Sequence, residues 1–441
     1  MFHLEILCVI KISKIKVNSV FMAYVFLDFP EFAVEFRLMK EEFLHFVWRT
    51  QSFAQLPLTT TDGKVVKVEY PGFLNRHAGP DFMDARVQIG DVLWCGPVEL
   101  HVKASDWLLH GHSGDPRYDT VILHVVYDKD QLVPSNVPIL ELKNYIIDGQ
   151  WHTVQQWKNV RDHIPCGGNF AEVRTVVRTN WMNRMAVERL EKRVSEWRGR
   201  SLELNGDLLQ LFYEKFFRAF GFGLNGELFE QVASRFTFRN SLRILDEPEL
   251  LKSVLLQMFG FESARSKAAV WKRAGALMEA NQWISLPPQA LNTGKIRPRR
   301  NNKIRVEQLA EELPRISHWW NLIFNKAEIA EWKSALYSKG KSNPLFAHLT
   351  VNVFAPLLFF LHERKMDESY AERALELLEL IPLEDNRITR LWKIHDVVGT
   401  NALESQGLIH LYGMYCETRK CLSCALGAEK LKKNEHDEVL I

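Results

Sequence analysis

The chain has 441 residues, 46% hydrophobic and 25% charged, so it can bury one or two sizeable cores and is not a disordered chain. Its net charge of +2 excludes a generally basic nucleic-acid coat and an acidic tail, so any basic surface must be local. Six cysteines are too few for a disulfide scaffold of this length, and three of them lie close together near the C-terminus. This clustering favours a reducing, cytoplasmic location and a metal site.

The first 38 residues form a poorly supported extension. Residues 2–9 are apolar, but three lysines at positions 11–16 end the run well short of the roughly 20 residues that a membrane span requires. No Ala-x-Ala cleavage pattern follows, which also argues against a secretory signal. From Met39 onward the composition predicts a helix over 40–51. We expect Met39 to be the natural start, and the alternative is that residues 1–38 form a short docking arm.

Strands are predicted between residues 64 and 145. Apolar side chains recur with a period of two at 65–70 and 85–89, and Gly90-Asp91 then supplies a turn. In the next run, 92–103, the polar residues Glu99, His101 and Lys103 share one face.

Two further strands and the first helix complete this part of the chain. Residues 121–126 are nearly all apolar, as in a central strand, and 139–142 predict another strand. With the helix at 40–51, residues 39–155 are expected to form a compact α/β domain with a mixed sheet.

Helices are predicted beyond residue 155. Apolar side chains recur at helical spacing from Met182 to Trp197, and similar patterns continue to residue 380. A linker at 156–170 contains loop chemistry around Pro165-Cys166-Gly167, and 171–441 form a helical domain. The predicted fold class is therefore α+β, with an N-terminal α/β domain followed by a mostly α-helical one.

The strongest catalytic pattern lies on the predicted hairpin. Asp81 opens one strand, and Glu99 is on the outward face of its partner, so the two carboxylates can meet across the ladder. Such a pair suits Mg²⁺ or Mn²⁺. His101 or Lys103, on the same face as Glu99, can orient or deprotonate an attacking water. The alternative is an ordinary solvated sheet face.

A histidine-rich segment follows. His110 and His112 have one residue between them, and Asp106, Asp115 and His124 are nearby in the sequence. Imidazole and carboxylate groups together suit zinc. The alternatives are hydrogen-bonded surface histidines and a supporting role beside Asp81 and Glu99.

The C-terminal region carries Cys416, Cys421 and Cys424, whose thiolates a short loop can bring to one metal. Cys166 is the best candidate for a fourth ligand and His410 the alternative. Either Zn²⁺ or a [4Fe–4S] cluster accepts such a set, and the alternative is a chance grouping of buried cysteines.

A basic stretch at 294–305 holds four arginines and two lysines around a single proline. Arginine and lysine dominate contacts to phosphates, so this loop is a candidate nucleic-acid contact. The alternative is a solvated charged loop.

Three resemblances are carried by these residues. Pro80-Asp81 and Glu99-Leu100-His101, in a helix, hairpin, helix, strand order, resemble the PD-(D/E)xK nuclease superfamily, although His101 stands where that superfamily has lysine. Several stretches, among them 79–82, 98–107, 118–127 and 415–427, resemble a bacterial family, the domain-of-unknown-function family 2851. The cysteine trio also resembles, in part, the iron–sulfur nucleases of DNA repair.

Three functions follow as hypotheses. In the first, the protein is a cytoplasmic metal-dependent nuclease. Nucleic acid is then the expected partner, and no membrane is involved. In the second, the protein is a non-catalytic nucleic-acid-binding or adaptor protein that keeps the fold without the missing lysine. The third is a zinc-dependent hydrolase that uses His101, His110 and His112.

Overall fold

The structure is a computed structural model, and it describes residues 40–54, 56–133, 136–147, 149–167, 170–262, 268–292, 302–325, 327–338 and 341–433. The predicted extension at 1–38 and the start at Met39 lie outside the described residues. The chain divides into two compact units. The sheet unit holds residues 40–45 and 57–144, and the helical unit holds 46–56 and 145–441.

The sheet unit is built on seven strands: β1 Leu58–Thr59, β2 Val65–Tyr70, β3 Phe73–Leu74, β4 Phe82–Ile89, β5 Val92–Lys103, β6 Leu123–Asp128 and β7 Ile139–Glu141. Their order is β1-β2-β4-β5-β6-β7, with β3 paired to β4. Strands β2, β4 and β5 are antiparallel, whereas β5–β6 and β6–β7 are parallel. The sheet is therefore mixed, as expected.

Short helical elements flank this sheet. Helix α1 (Glu41–Thr50) begins in the sheet unit and ends in the helical unit. Helix α2 (Asp106–Leu109) lies in the crossover between β5 and β6. The β4–β5 turn falls at Gly90-Asp91, and Gly90 has a φ of +59°, a left-handed conformation that favours glycine. This tight turn sets the register from the Ile89–Val92 pair to the Ala85–Gly96 pair, and an irregularity between Phe82 and Ala85 then shifts it so that Phe82 pairs with Val98.

The helical unit contains helices α3 Gln150–Asn159, α4 Thr175–Glu203, α5 Leu208–Arg235, α6 Phe238–Ser241, α7 Pro248–Met258, α8 Ala268–Ala280, α9 Asn302–Glu312, α10 Ile316–Phe324, α11 Ile329–Leu336, α12 Pro344–Leu349, α13 Ala355–Lys365, α14 Glu368–Leu380, α15 Arg387–Ile394, α16 Ala402–Leu411 and α17 Ala425–Lys433. A short pair of strands, β8 Tyr337–Ser338 and β9 Lys341–Ser342, follows α11. The α+β class predicted from the sequence is confirmed.

The long helix α4 buries the residues whose spacing predicted it, including Met182, Ala186, Leu190 and Val194. It packs closely against α16 because Gly407 has no side chain: a Cβ there would lie 2.4 Å from the carbonyl oxygen of Met182.

One helical stretch, Pro344–Lys365, is long and apolar enough to cross a membrane. Its most apolar window is 72% buried within the protein, as in the core helix of a soluble domain.

The prediction of a basic loop over 294–305 is wrong for the C-terminal end of this stretch. Lys303 and Arg305 belong to α9, and Arg305 is fully buried. Its guanidinium lies 4.2 Å from the ring centroid of Phe222 and donates a hydrogen bond to the carbonyl of Gly221 at 3.4 Å. Arg305 therefore cannot contact a phosphate at the surface. The remaining basic positions of this loop lie outside the described residues.

Candidate metal centre

Glu99 and His101 lie in the middle of the sheet, on β5, and both side chains are buried. The parallel pairing with β6 sets Glu99 opposite His124. The sequence pattern predicted that Glu99, His101 and Lys103 share a face. The structure buries the first two, whereas Lys103 is exposed at the end of the strand.

Asp81 and Glu99 are joined by reciprocal hydrogen bonds. The backbone N–H of Asp81 donates to Glu99 Oε2 at 3.0 Å, and the backbone N–H of Leu100 donates to Asp81 Oδ2 at 3.0 Å. Because the amide nitrogen and carboxylate of one aspartate are roughly 4 Å apart at most, the two carboxylates are close neighbours. Lys103 has no hydrogen bond or ion pair with either of them within the described part of the chain.

Two residues of helix α1 add to this carboxylate pair. His45 Nε2 lies 3.2 Å from Asp81 Oδ2, and burial together with the Asp81 charge raises the pKa of Glu41. Sequence analysis missed both residues, although Glu41 and His45 are four apart and so share one face of a helix. That spacing was the available signal.

Among the described residues, the groups within 4.0 Å of these carboxylates that can carry a positive charge are histidines: His45 beside Asp81, and His101 and His112 beside Glu99. Burial, and secondly the charge of Asp81, raise the pKa of Glu99 to about 8. Two neighbouring carboxylates cannot both ionise readily unless a cation lies between or beside them. The donor chemistry of this site therefore fits a bound metal ion.

Three imidazole rings meet beside Glu99. His101 Nε2 lies 3.2 Å from His110 Nδ1 and 3.3 Å from His112 Nε2. Two metal–nitrogen bonds of 2.0–2.1 Å at a tetrahedral angle would separate their nitrogens by about 3.4 Å. These histidines form a set of three potential ligands whose atoms all lie within 4.8 Å of one another.

Glu99 borders this histidine set without belonging to it. Its Oε1 lies 3.2 Å from His112 Nε2 and 3.5 Å from His101 Nε2. His101 Nδ1 faces His124 Nε2 at 2.9 Å, so His124 supports the ring from behind. This second contact orients the imidazole in the way that outer partners of metal ligands do.

The histidines are neutral near pH 7. Burial, followed by the charge of His124, lowers the pKa of His101 to about 2, and burial lowers that of His124 to about 4. Burial is also the main reason that the pKa of His112 is lowered. Neutral imidazole is the form that binds a metal, so the lowered pKa values favour metal binding by His101 and His112.

Local structure brings His110 and His112 back toward β5. The N–H of Lys103 donates to Asp106 Oδ2 at 3.0 Å at the start of α2, and Gly111 then turns the chain with a φ of +74°. The buried Trp107 ring packs 4.9 Å from His124, and Tyr118 stacks on His112 with ring centroids 3.8 Å apart. The carboxylates of Asp106 and Asp115 both accept hydrogen bonds within these turns. That of Asp115 accepts one from the backbone N–H of Arg117 at 3.0 Å.

A second cluster of metal-binding residues lies in the helical unit. Cys166, Cys416, Cys421 and Cys424 are all buried, and none is in a disulfide. Burial raises the pKa of the Cys166 thiol, and the charges of Cys424 and Cys421 raise it further. The four thiols therefore lie in one neighbourhood, as the sequence predicted for a site.

Backbone contacts hold this cysteine cluster together. Arg419 donates to the carbonyls of Val160 and Asp162 at 2.8 and 3.0 Å, and Lys430 Nζ donates to the carbonyl of Cys166 at 2.8 Å. The sulfur of Cys424, at the start of α17, accepts from backbone N–H groups of that helix. Such N–H groups stabilise a thiolate.

The alternative fourth ligand and the remaining described cysteine lie apart from this cluster. His410 Nε2 is 3.6 Å from Glu188 Oε2 and lines a separate cavity. Cys95 is exposed in the sheet unit. The cysteine sulfurs do not form a second set within the 4.8 Å limit that the three histidines meet.

Comparisons with known proteins give one positive result. A family model described as protein of unknown function (DUF2851) matches residues 41–343. No curated protein and no solved structure matches the chain. The matched range contains Asp81, Glu99, the three histidines and Cys166, whereas the trio at 416–424 lies beyond it. Because the match covers more than half of the sequence, the chain belongs to the DUF2851 family of proteins of unknown function.

Proposed function

We propose that this protein is a metal-dependent hydrolase that cleaves phosphodiester bonds of nucleic acid. One observation carries the proposal: three imidazole nitrogens, two from the buried His101 and His112 and one from the exposed His110, converge beside the Asp81–Glu99 carboxylate pair. Structural histidines are normally satisfied by separate hydrogen-bond acceptors, whereas these nitrogens face one another. Nitrogens that face one another can share one cation.

The ligand chemistry favours particular metals. His101, His110 and His112 would hold the ion, and a set of three imidazoles suits Zn²⁺ or Mn²⁺ better than Mg²⁺, which prefers oxygen ligands. When bound, such an ion supplies Lewis acidity for a phosphoryl oxygen and for water. The Asp81–Glu99 pair would hold a second ion, Mg²⁺ or Mn²⁺, as its oxygen donors allow.

The protein's own groups have separate tasks in this proposal. While no ion is bound to the Asp81–Glu99 pair, burial and the Asp81 charge raise the pKa of Glu99 to about 8, so its carboxylate can hold or release a proton near neutral pH. An ion bound to the pair would instead keep Glu99 ionised. Asp81 positions the Glu99 carboxylate through their reciprocal backbone contacts. His101 stays neutral and serves as a ligand, which assigns the water-orienting role to Glu99 and not to Lys103.

The phosphodiester substrate class rests on the arrangement of elements. Helix α1, the antiparallel strands β2, β4 and β5, helix α2 and the parallel strand β6 follow one another along the chain, which supports the resemblance of the sequence to the PD-(D/E)xK nucleases. Asp81 precedes β4 and Glu99 lies on β5, where that resemblance would put the acidic residues. His101 in place of lysine departs from the pattern, and the histidine cluster would compensate for it.

The test is cleavage of labelled single- and double-stranded DNA and RNA by the full chain, with Zn²⁺, Mn²⁺ or Mg²⁺ added. Glu99→Gln should reduce cleavage by a factor of about 100 or more, the usual contribution of a proton-transferring group. The amide oxygen of glutamine can still accept the Asp81 N–H, so the fold should survive. Glu69→Gln is the control, because Glu69 is exposed on β2 of the same sheet.

Two results would contradict this proposal. Full activity in Glu99→Gln would move the chemistry elsewhere. A wild-type protein that binds nucleic acid but cleaves none of the substrates with any of the three metals would favour the non-catalytic, adaptor function. Cleavage of small esters with zinc, but of no nucleic acid, would favour the more general zinc hydrolase.

We further propose that Cys166, Cys416, Cys421 and Cys424 hold Zn²⁺ or a [4Fe–4S] cluster, and that the protein works in the reducing cytoplasm. Four buried thiols without disulfides fit that compartment. The role of the zinc ion or cluster would be structural, because it ties the 160–167 loop to the start of α17.

A further inference from the structure

The helical unit contains a cavity of about 670 Å³ with an excess of positive charge. Its walls come from α4, α5, α15, α16 and the turn that follows α16. Six cationic side chains line it, against two carboxylates, Glu196 and Glu417. The cations are Arg189, Lys192, Arg193, Lys215, Arg218 and Arg387.

Two of these cations share one carboxylate. Lys215 and Arg218 both pair with the carboxylate of Glu230, and the Arg218–Glu230 distance is 2.6 Å. One carboxylate thus serves two cations, so even this part of the wall keeps a positive charge.

The other four cations form no ion pair with a carboxylate among the residues that the structure describes. Arg189 donates to the amide oxygen of Gln406 at 2.7 Å, and Gln406 in turn donates to Glu384. Arg193 donates to the carbonyl of Val351 at 2.9 Å and to Asn352 Oδ1 at 3.0 Å, both uncharged acceptors. These bonds fix the two guanidinium groups in place without neutralising them.

Arg189 and Arg193 also repel each other. Burial, and secondly the charge of Arg189, lower the pKa of Arg193 to about 10, although Glu384 and Glu196 act in the opposite direction. Cations outnumber carboxylates around this cavity, and an anion bound in it would reduce the repulsion between Arg189 and Arg193.

One wall of the cavity has a strained backbone. Phe222 interrupts α5 with a φ of +51°, a conformation that a bulky residue rarely adopts. Its ring stacks on His348 with centroids 4.3 Å apart and has the Arg305 guanidinium on it at 4.2 Å. Strain of this kind persists where surrounding contacts hold a binding wall in shape.

We propose that this cavity binds a phosphorylated small molecule of nucleotide size that carries at least two negative charges. Its volume falls within the roughly 300–1,000 Å³ of small-molecule sites. Guanidinium groups bind phosphate through paired hydrogen bonds, and Arg189 and Arg193 are already held rigidly for that purpose. Lys192 and Arg387, both exposed at the rim, would complete the phosphate contacts.

Isothermal titration of the full chain with ATP, inorganic pyrophosphate and adenosine tests the site. ATP and pyrophosphate should bind and adenosine should not, because the cations recognise phosphate. Lys192→Gln and Arg387→Gln should each weaken ATP binding by about tenfold, the effect of removing one charge-assisted hydrogen bond. Both side chains are exposed, so neither substitution should affect folding.

Lys393→Gln is the matched control, since Lys393 is exposed on the same helix as Arg387 but does not line the cavity. It should bind ATP as the wild type does. Glu99→Gln should also bind ATP normally, so failure of the proposed hydrolase function leaves this site unaffected. The inference is overturned if neither ATP nor pyrophosphate binds at millimolar concentration, or if both bind equally well to the two rim variants. The inference would also be overturned if the protein bound a nucleic-acid strand but neither ATP nor pyrophosphate, and if Lys192→Gln weakened that binding of the strand.

Discussion

Replacing Gly427 by alanine should disturb the cysteine cluster, because Gly427 lies in helix α17, which follows the cysteine trio in the chain. Gly427 lies in the first turn of α17, and a Cβ there would be 2.5 Å from the carbonyl oxygen and 3.2 Å from the carbonyl carbon of Cys421. Real Cβ contacts below 3.0 Å are essentially absent, so the helix and the Cys421 turn must separate by at least 0.5 Å, the difference between 3.0 and 2.5 Å. Both atoms belong to backbone, which cannot rotate away as a flexible side chain can.

The size of the effect follows from two opposing terms. Overpacking of this kind costs about 1–3 kcal/mol. Alanine gains up to about 1 kcal/mol over glycine inside a helix. The net loss in the free energy of unfolding should therefore be about 1–2 kcal/mol. The displaced turn carries Cys421 and adjoins Cys424, so metal or iron content should fall as well.

The measurement is urea unfolding of the full chain, purified without oxygen, together with its metal content by mass spectrometry. Gly199→Ala is the matched control, because Gly199 is in α4 and nothing lies within 4 Å of its added Cβ. That variant should gain about 0.5–1 kcal/mol. If Gly427→Ala unfolds at the same or a higher urea concentration than the wild type and keeps its metal, the Cys421 turn does not pack on α17 as described.

Two further substitutions test the metal sites directly. His101→Ala should weaken Zn²⁺ binding by a factor of about 100 or more, since losing even an outer partner of a ligand costs 10–100-fold. Competition with a chelator measures this affinity, and His77→Ala, an exposed histidine of the same unit, should bind zinc normally; equal affinities for both variants would remove His101 from the ligand set. Cys424→Ser should lose the visible absorption of an iron–sulfur cluster or the thiolate absorption of added Co²⁺, whereas the exposed Cys95→Ser should keep it. Retention of these bands in Cys424→Ser would exclude this sulfur as a ligand.

Local patterns in the sequence were enough for the architecture. Alternation with a period of two and apolar spacing along helices are properties of a few neighbouring residues, so the strands, the long helix α4 and the α+β class could be predicted. The same reasoning placed Glu99 and His101 on one face of β5, because side chains two apart in a strand point the same way. The close spacing of Cys416, Cys421 and Cys424 likewise needed no tertiary information to indicate a site.

Tertiary structure decided which of these residues meet. The contacts of His45 with Asp81 and of His110 with His101 depend on how helix and crossover pack on the sheet, which no local period encodes. Arg305 looked like a surface cation because charge alone was visible, and only the packing of α9 shows that its guanidinium is buried on Phe222. The cationic cavity is lined by residues from 189 to 417, and no local sequence pattern sets any of them apart from other charged residues. Contacts over such distances along the chain form only when the core closes, so the three-dimensional fold alone determines them.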